Sequence, residues 1–500
     1  MPLEIAPLDE HNRTLVDNAH PSDWRNPTPT GRYHLVAIGG GTAGIIAALG
    51  AAGLGARTAI VERHLLGGDC LNFGCVPSKA LLRAARSAYQ VAHAARFGQH
   101  VGNVPLPDFG QVMERLRQLR AHISRHDSAR RFASLGVDVY LGNATFTGPT
   151  TLEVDGQTLE FRRAVIATGA RAAHPAIPGL QEVGYLTNET VFSLTTLPRR
   201  LIVIGSGPVG CELAQAFRRL GSEVHLVNRS EGVLPKEDPV AAAIVQSQFQ
   251  REGLHLHLGW TIARAEATGD SKSLVIERGG EKKKLIADAI LVGVGRSPNV
   301  EGLGLEAAGV QYTTQGVAVN DRLQSTNRRI FAAGDVCSRH QFTHAADAMA
   351  RICIQNALFL GRKKLSSLIV QRCTYTDPEV AHVGLTPAEA RQQGIEIDSF
   401  RADLSEVDRA ILDGETEGFA VVQTRKGTGH LGGATIVASH AGEMIGEITL
   451  LMTRRLSLGT LAGVIHCYPT QVEVLKRIAD AYQRTRLTPR VANLLRLWLR

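Results

Sequence analysis

Residues 33–56 read YHLVAIGGGTAGIIAALGAAGLGA. The apolar run Tyr33–Ile38 suits a strand, and the small-residue run after Gly44 suits a helix pressed against a sheet. Between them stands Gly39-x-Gly41-x-x-Gly44. Gly39 allows the tight turn, Gly41 lets backbone N–H groups approach a pyrophosphate, and Gly44 brings helix against strand. One such motif is weak by itself. Its weight comes from context, because the next strand, Arg57–Val61, follows at the expected interval and ends in Glu62.

The same unit recurs downstream. Strand Leu201–Ile204 leads into Gly205-Ser206-Gly207-Pro208-Val209-Gly210, then a helix through Cys211–Leu220 and a strand Glu223–Val227. The chain therefore contains two dinucleotide-binding units. Counting 21 residues from the middle glycine reaches Glu62 in the first and Asn228, followed by Arg229, in the second. A carboxylate accepts both hydroxyls of an unphosphorylated ribose, whereas a neutral residue beside a guanidinium suits a 2′-phosphate. The second unit is thus expected to take NADPH in preference to NADH, and the first an adenine dinucleotide without that phosphate.

Residues 164–170 (AVIATGA) and 290–295 (ILVGVG) read as the late strands of the two units. Ile330–Asp335 (IFAAGD) reads as a strand that returns the chain to the first. From about residue 366, short β-branched runs and a final helical stretch after Pro469 suggest an α+β domain. The expected fold class is α/β, with two Rossmann-like dinucleotide-binding domains, the second inserted in the first, and a C-terminal α+β dimerisation domain. The expected boundaries are residues 1–30 for an extension, 31–180 and 300–365 for the first domain, 181–299 for the second and 366–500 for the last. The extension lacks apolar periodicity and is expected to lie on the surface or be disordered.

Composition agrees with a large globular chain. Of 500 residues, 44% are hydrophobic and 20% charged, which excludes disorder and leaves ample material for a core. No apolar run has the length of a spanning helix, and the first thirty residues lack the basic and apolar regions of an export signal. Seven cysteines are too sparse for a disulfide scaffold, so a cytoplasmic location is expected and any disulfide should be a working one. The net charge of +8 is spread without basic runs interleaved with aromatics, which argues against nucleic acid and for anionic small molecules. Arg115, Arg117, Arg120, Arg125, Arg130 and Arg131 lie on one helical stretch, expected to be a solvated face.

Shortly after the first unit comes GGDCLNFGCVPSK, residues 67–79. On a regular helix Cys70 and Cys75 would stand about 7.5 Å apart along the axis, beyond what a disulfide tolerates. A distorted first turn is needed, and Gly74 permits it. The helix that follows would place its N-terminal dipole near the sulfurs and lower a thiolate pKa.

CLNFGC followed by VPSK, two dinucleotide units in this order, ATGA at 167–170, GVGRSPN at 293–299 and AAGD at 332–335 together resemble the FAD-dependent pyridine nucleotide-disulfide oxidoreductases. The resemblance covers residues 31 to about 480. It implies a homodimer with FAD on the first unit, NAD(P)H on the second and a C-terminal interface domain. It further implies a redox-active Cys70–Cys75 disulfide, with Cys75 against the flavin and Cys70 meeting substrate. Lys79 would lie near the flavin, Asp335 on its ribityl and phosphate region, and Glu212 beside the nicotinamide. Ala144, Thr168, Gly169 and Gly295 complete the cofactor contacts it implies. On residue type alone, Glu212 would otherwise be a helix-surface carboxylate.

The informative departure is Ile465-His466-Cys467-Tyr468-Pro469-Thr470-Gln471-Val472-Glu473. Dithiol-using members carry His-x-His-Pro-x-x-x-Glu, in which the second His is the acid/base and the Glu orients it; here that position is Tyr468. A phenol with a pKa near 10 is a poor base at neutral pH, and a positioned base contributes roughly 10²–10⁴ in rate. Turnover of dihydrolipoamide or glutathione is therefore disfavoured, unless His466, which would share a face with Tyr468 on an extended segment, serves as a displaced base. Tyr468 and GCELAQAF at 210–217 resemble the mercuric reductase branch. Two parts of that branch's usual equipment, a C-terminal cysteine pair and an N-terminal metal-binding domain, are not expected here, because residues 1–30 and the stretch RVANLLRLWLR carry no cysteine. Cys467 is either a third soft ligand or a small core residue; Cys211, Cys337, Cys353 and Cys373 show no ligand spacing.

The expected activity is thus transfer of electrons from NADPH, through FAD and the cysteine pair, to a non-dithiol acceptor with mercuric ion first. The alternatives are a dihydrolipoamide dehydrogenase-like disulfide reductase and a membrane-docked flavoprotein redox sensor. The last is motivated by the tail Arg490–Arg500, whose Leu494, Leu495, Leu497 and Trp498 stand among arginines. Such a helix either makes weak contact with anionic lipid or packs in the dimer.

Overall fold

The computed structural model describes residues 5–499 apart from 101, 103, 270 and 360; residues 1–4 of the extension and Arg500 of the tail lie outside the described residues. The chain divides into two compact units. One comprises Met1–Ile204, Ala216–Val224 and Ile262–Leu368, the other Gly205–Gln215, His225–Thr261 and Ile369–Arg500.

The first unit is built on β1 (Tyr33–Ile38), which pairs in parallel with β2 (Thr58–Glu62) and with β6 (Gln157–Ile166). β2 in turn pairs in parallel with β3 (Val137–Leu141). β6 is long enough to serve two sheets. Its last residues take Ile330–Ala332 as a parallel neighbour, and its first residues form an antiparallel meander with β5 (Thr151–Val154) and β4 (Ala144–Gly148). The AAGD strand therefore does return the chain to the first sheet. Leu35, Val36, Ala37 and Ile38 are buried, as a parallel strand covered on both faces requires.

Helix α2 (Thr42–Gly53) follows the glycine loop. A Cβ on Gly44 would lie 1.8 Å from the Gly39 carbonyl oxygen, so helix and strand meet at a distance that only glycine permits. Gly39 itself has φ +106°, a conformation costly for other residues.

The extension departs from expectation. Glu10–Ala19 forms helix α1, with the Asp9 carboxylate capping it by accepting from Asn12 N at 2.8 Å. Leu15 and Ala19 are fully buried, and α1 packs on α5 (Phe109–Ser124). Beyond it, Trp24 Nε1 donates to Val139 O at 3.1 Å, and Asn26 exchanges hydrogen bonds with the Leu141 backbone at 3.0 and 2.8 Å. A helix of ten residues is marginal alone, and its polar sequence carried only one strongly apolar contact point, so tertiary packing decides its fate. The expected solvated arginine face is also corrected. Arg117 and Arg120 are buried, with Arg117 paired to Asp9 and Arg120 bonded to Asn12 and to the Asn72 carbonyl.

In the second unit, strands Glu223–Asn228 and His255–Leu258 run in parallel. The C-terminal part is an antiparallel sheet in the order Gln371–Thr374, Glu379–Gly384, Leu431–Ala438, Phe419–Arg425, Ile397–Asp403. Helices Ala441–Thr453 and Glu473–Arg486 cover it, burying Ile445, Ile448, Leu475 and Ile478. Helix Pro489–Trp498 buries none of its residues. Among the described residues, no helix is long and apolar enough to cross a membrane.

Leu15→Ala should lower the unfolding free energy by about 2–4 kcal/mol through the cavity it leaves under α1. Leu8→Ala, at a site 61% exposed, should change it by less than about 0.5 kcal/mol. Urea denaturation of the two variants measures this; equal effects would mean that α1 is not part of the cooperative core.

Candidate active site

Cys70 lies within the short helix α3 (Gly68–Asn72), and Cys75 is the first residue of α4 (Cys75–Ala92). The distortion expected between them is a complete break at Phe73–Gly74. A Cβ on Gly74 would meet the Asp69 carbonyl oxygen at 2.9 Å. The cysteines are free thiols, in hydrogen-bonding contact with each other. The Cys75 sulfur also lies 3.3 Å from Thr343 Oγ1, at the start of helix Thr343–Leu358.

These contacts separate the two thiols electrostatically. The hydrogen bond from Cys70 does most to draw Cys75 down to about 6, helped by Thr343 and the charge of Lys79 one turn along α4, while burial opposes them. The two hydrogen bonds and the Lys79 charge together outweigh the cost of desolvation. Cys70 moves the other way, above the ordinary thiol range, because it donates to Cys75 and is desolvated. The thiolate is thus placed on Cys75.

The surroundings hold α3 at several points. Asn72, fully buried, donates through Nδ2 to Leu66 O at 3.2 Å and Gly68 O at 2.8 Å. Asn188 Nδ2 donates to Asp69 Oδ1 at 2.9 Å and Phe73 O at 3.3 Å. Arg296 of the GRSPN motif bridges Asp69 Oδ2 at 3.2 Å and Asp335 Oδ2 at 3.3 Å, and donates to Ala170 O at 2.6 Å. Burial raises the Asp335 pKa, and Arg296 counters part of that rise. Asn299 braces Thr168, donating to its carbonyl at 2.9 Å and accepting its hydroxyl at 2.7 Å through the backbone oxygen. The ATGA and GRSPN motifs are thus one paired structure, with Gly169 N–terminal to the pairing strand and the Gly295 carbonyl accepting from Ala173 N at 3.0 Å.

The first glycine loop fits a dinucleotide. Gly41 caps α2 without any side-chain hydrogen bond, and no acidic residue stands in the first turn, so the N–H donors there remain available to a pyrophosphate. A Cβ on Gly41 would meet only Gly68 Cα at 3.7 Å, whereas one on Gly68 would press within 2.5 Å of Gly41 Cα. The loop thus runs directly against the start of the cysteine helix. Glu62, buried at the end of β2, accepts from Gly40 N and His64 N, both at 2.6 Å. Each carboxylate oxygen retains a lone pair for a ribose hydroxyl. Ala144 begins β4 two residues after Gly142, whose N–H donates to Glu62 O at 2.9 Å.

In the second unit, Gly205 N donates to Val227 O at 2.9 Å, closing the second glycine turn, and Gly207 has open space where a Cβ would stand. Gly210 lies buried in helix Pro208–Leu220. Asn228 Nδ2 is buried without a hydrogen-bond partner, and Arg229 is exposed beside it. An orphaned donor next to a solvent-facing guanidinium fits a phosphorylated ribose. Glu212 is buried, not on a helix surface, and accepts from Tyr375 N at 2.9 Å.

The C-terminal residues occupy separate environments. Tyr468 is 72% exposed, and its hydroxyl donates to Asp408 Oδ2 at 2.8 Å, which raises its pKa further from neutrality. His466 Nε2 lies 3.2 Å from Glu447 Oε1, and its Nδ1 is buried without a partner. Glu473 pairs with Arg477 at 3.2 Å, leaving Oε2 buried and unsatisfied. Cys467 is exposed, so it is not a core residue.

Sequence reasoning missed Thr343, Asn188, Glu447 and the role of Asn72. It quoted Asp69 and Arg296 within motifs without assigning them a part. Only Arg296 carried a usable signal, as the one cation in GVGRSPN.

In the reduced protein, iodoacetamide should alkylate Cys75 with a pH midpoint near 6, well below an ordinary thiol. Thr343→Val removes a hydrogen bond that favours the thiolate, so the midpoint should rise by up to about one unit. A midpoint that stays above 8 in the wild type would refute the assignment.

Residues 33–350 match the family model described as pyridine nucleotide-disulphide oxidoreductase, and residues 370–479 match the dimerisation domain of the same family. The chain is 37% identical over 458 residues to a mercuric reductase of Staphylococcus aureus, covering 91% of this chain and 83% of that one. It is 32% identical over 449 residues to a dihydrolipoyl dehydrogenase of Chlamydia muridarum, covering 88% and 95%. Among solved structures, the HOCl-induced flavoprotein disulfide reductase RclA from Escherichia coli superposes with a TM-score of 0.80 at 26% identity, covering 90% of this chain and 99% of RclA. The dimerisation domain points to a homodimer. The cysteine pair, the two glycine loops and these matches over most of the chain together place it in the pyridine nucleotide-disulphide oxidoreductases, flavoproteins that work with FAD and NAD(P)H.

Proposed function

We propose that this protein takes electrons from NADPH and delivers them to a soft metal ion, mercuric ion first, rather than to a dithiol. The observation that carries the reading is Tyr468, an exposed phenol hydrogen-bonded to Asp408 at the position where dithiol-using relatives carry their base. A substrate dithiol needs a proton removed and returned. A metal ion does not, so the loss of about 10²–10⁴ in rate from a missing base falls on the first and spares the second.

The residues have these roles. Cys70 and Cys75 offer two soft sulfur ligands to Hg²⁺, with the thiolate on Cys75 held by Thr343 and Lys79. Gly39, Gly41 and Gly44 seat the FAD pyrophosphate, Glu62 its ribose, and Asp335 with Arg296 the segment towards the ring; Ala144, Thr168, Gly169 and Gly295 line the remainder. When bound, FAD relays an electron pair between nicotinamide and the cysteine pair. Gly205, Gly207 and Gly210 seat the nicotinamide dinucleotide, Asn228 and Arg229 take its 2′-phosphate, and Glu212 borders the nicotinamide. In sum, NADPH and Hg²⁺ give NADP⁺, H⁺ and Hg⁰. Identities of 37%, 36% and 34% to three mercuric reductases favour this choice of acceptor.

A second reading rests on His466. Its pairing with Glu447 resembles an oriented imidazole, so a dihydrolipoamide-type reductase with a displaced base is the alternative.

NADPH oxidation driven by Hg²⁺ in excess low-molecular thiol should exceed NADH-linked lipoamide turnover, and Cys70→Ser should abolish it. Lipoamide turnover alone, lost in His466→Ala, would establish the second reading instead. Arg229→Glu should raise KM for NADPH by about tenfold or more and leave that for NADH almost unchanged. Equal effects on both nucleotides would remove the 2′-phosphate assignment.

A further inference from the structure

We propose that the N-terminal segment is a brace for the cysteine pair, with Arg120 as the positioning residue that holds the helix carrying Cys70. This rests on the reading of Cys70 and Cys75 as a redox pair. The segment precedes residue 33, where the family match begins.

The segment reaches both ends of α3. At the entry, Leu66 N donates to Ala19 O at 3.2 Å, and His20 Nδ1 contacts the His64 carbonyl. At the exit, Arg120 donates to the Asn72 carbonyl at 2.7 Å and to Asn12 Oδ1 on α1 at 2.6 Å. Asn72 itself ties this exit to Leu66 and Gly68. Cys70 stands between the two anchor points.

Arg120 is 2% exposed, and both its hydrogen-bond acceptors are neutral oxygens, while Asp9, whose charge acts on it, is bonded to Arg117. A buried guanidinium tolerates little loss of its acceptors, and its fork is rigid. The positions of Asn12 and Asn72 are therefore linked through one side chain. Closure of a disulfide depends narrowly on the spacing of the two cysteines. Releasing α3 should lower the effective concentration of one sulfur at the other and make the disulfide easier to reduce.

The test uses the full-length, FAD-loaded protein equilibrated with dithiothreitol buffers. The Cys70–Cys75 disulfide and dithiothreitol exchange to give two protein thiols and cyclic oxidised dithiothreitol. Asn12→Ala and Arg120→Met should each shift that equilibrium about tenfold towards the dithiol, about 30 mV for a two-electron couple. Asn12→Asp keeps an acceptor oxygen and should remain within about twofold of wild type, as should Asp23→Ala, which breaks only the exposed Arg130–Asp23 pair of the same segment. If Arg120→Met does not fold, the contrast between Asn12→Ala and Asn12→Asp carries the readout. A folded Asn12→Ala that titrates like wild type would overturn the brace, leaving α1 a purely stabilising element. A wild-type protein with no exchangeable disulfide at this pair would instead remove the underlying reading, and the brace with it.

Discussion

Everything at the site depends on a helix that stops between two cysteines. A continuous helix would carry Cys70 and Cys75 apart; the break at Phe73–Gly74 folds α3 back so that one sulfur donates to the other. The break also makes Cys75 the first residue of α4, where the positive end of the helix dipole favours its thiolate. Three further elements converge on the same atom or its neighbours: Lys79 along the helix, Thr343 from another helix, and Asn188 holding Asp69 and Phe73 across the turn.

The dinucleotide loop and the cysteine helix are a single packed feature. Gly68 approaches Gly41 so closely that a Cβ on Gly68 would stand 2.5 Å from Gly41 Cα, which no larger residue there could do without displacement. A pyrophosphate held at the α2 N-terminus would consequently lie next to the chain that leads to Cys70. The Arg296 bridge extends this coupling. One guanidinium joins Asp69, the neighbour of Cys70 in sequence, to Asp335 at the end of the returning strand, so motifs far apart in sequence share one cation. Partial burial makes such a bridge sensitive to losing either partner.

The C-terminal segment has a different character. Tyr468 and His466 stand two residues apart, yet one points its hydroxyl at Asp408 in solvent and the other is half-buried against Glu447. His466 Nδ1 and Glu473 Oε2 are both buried and unsatisfied. Unpaired polar atoms of this kind are rare in folded chains, and two of them fall here within a few residues of Tyr468.

The sequence by itself determined the fold class, both glycine loops, the carboxylate and the Asn-Arg pair that end their second strands, and the cysteine motif. Those signals are local: a strand, a turn and a helix within about thirty residues carry their own periodicity and punctuation. Only the tertiary structure decided the rest. Thr343 meets Cys75 across 268 residues of chain, and Arg120 meets Asn12 across 108. Arg120 read as one of a row of solvent-facing arginines because of its charge, although it lies one turn after Leu116 on the apolar face of its helix, and the polar segment before residue 30 read as unpacked because it carries no periodic apolar stripe; each becomes ordered through hydrogen bonds to the other. Glu212 likewise became a buried acceptor of a distant backbone N–H. Local pattern fixes which elements form, whereas the partners of a buried polar group are set by whatever the packed fold brings within hydrogen-bonding reach.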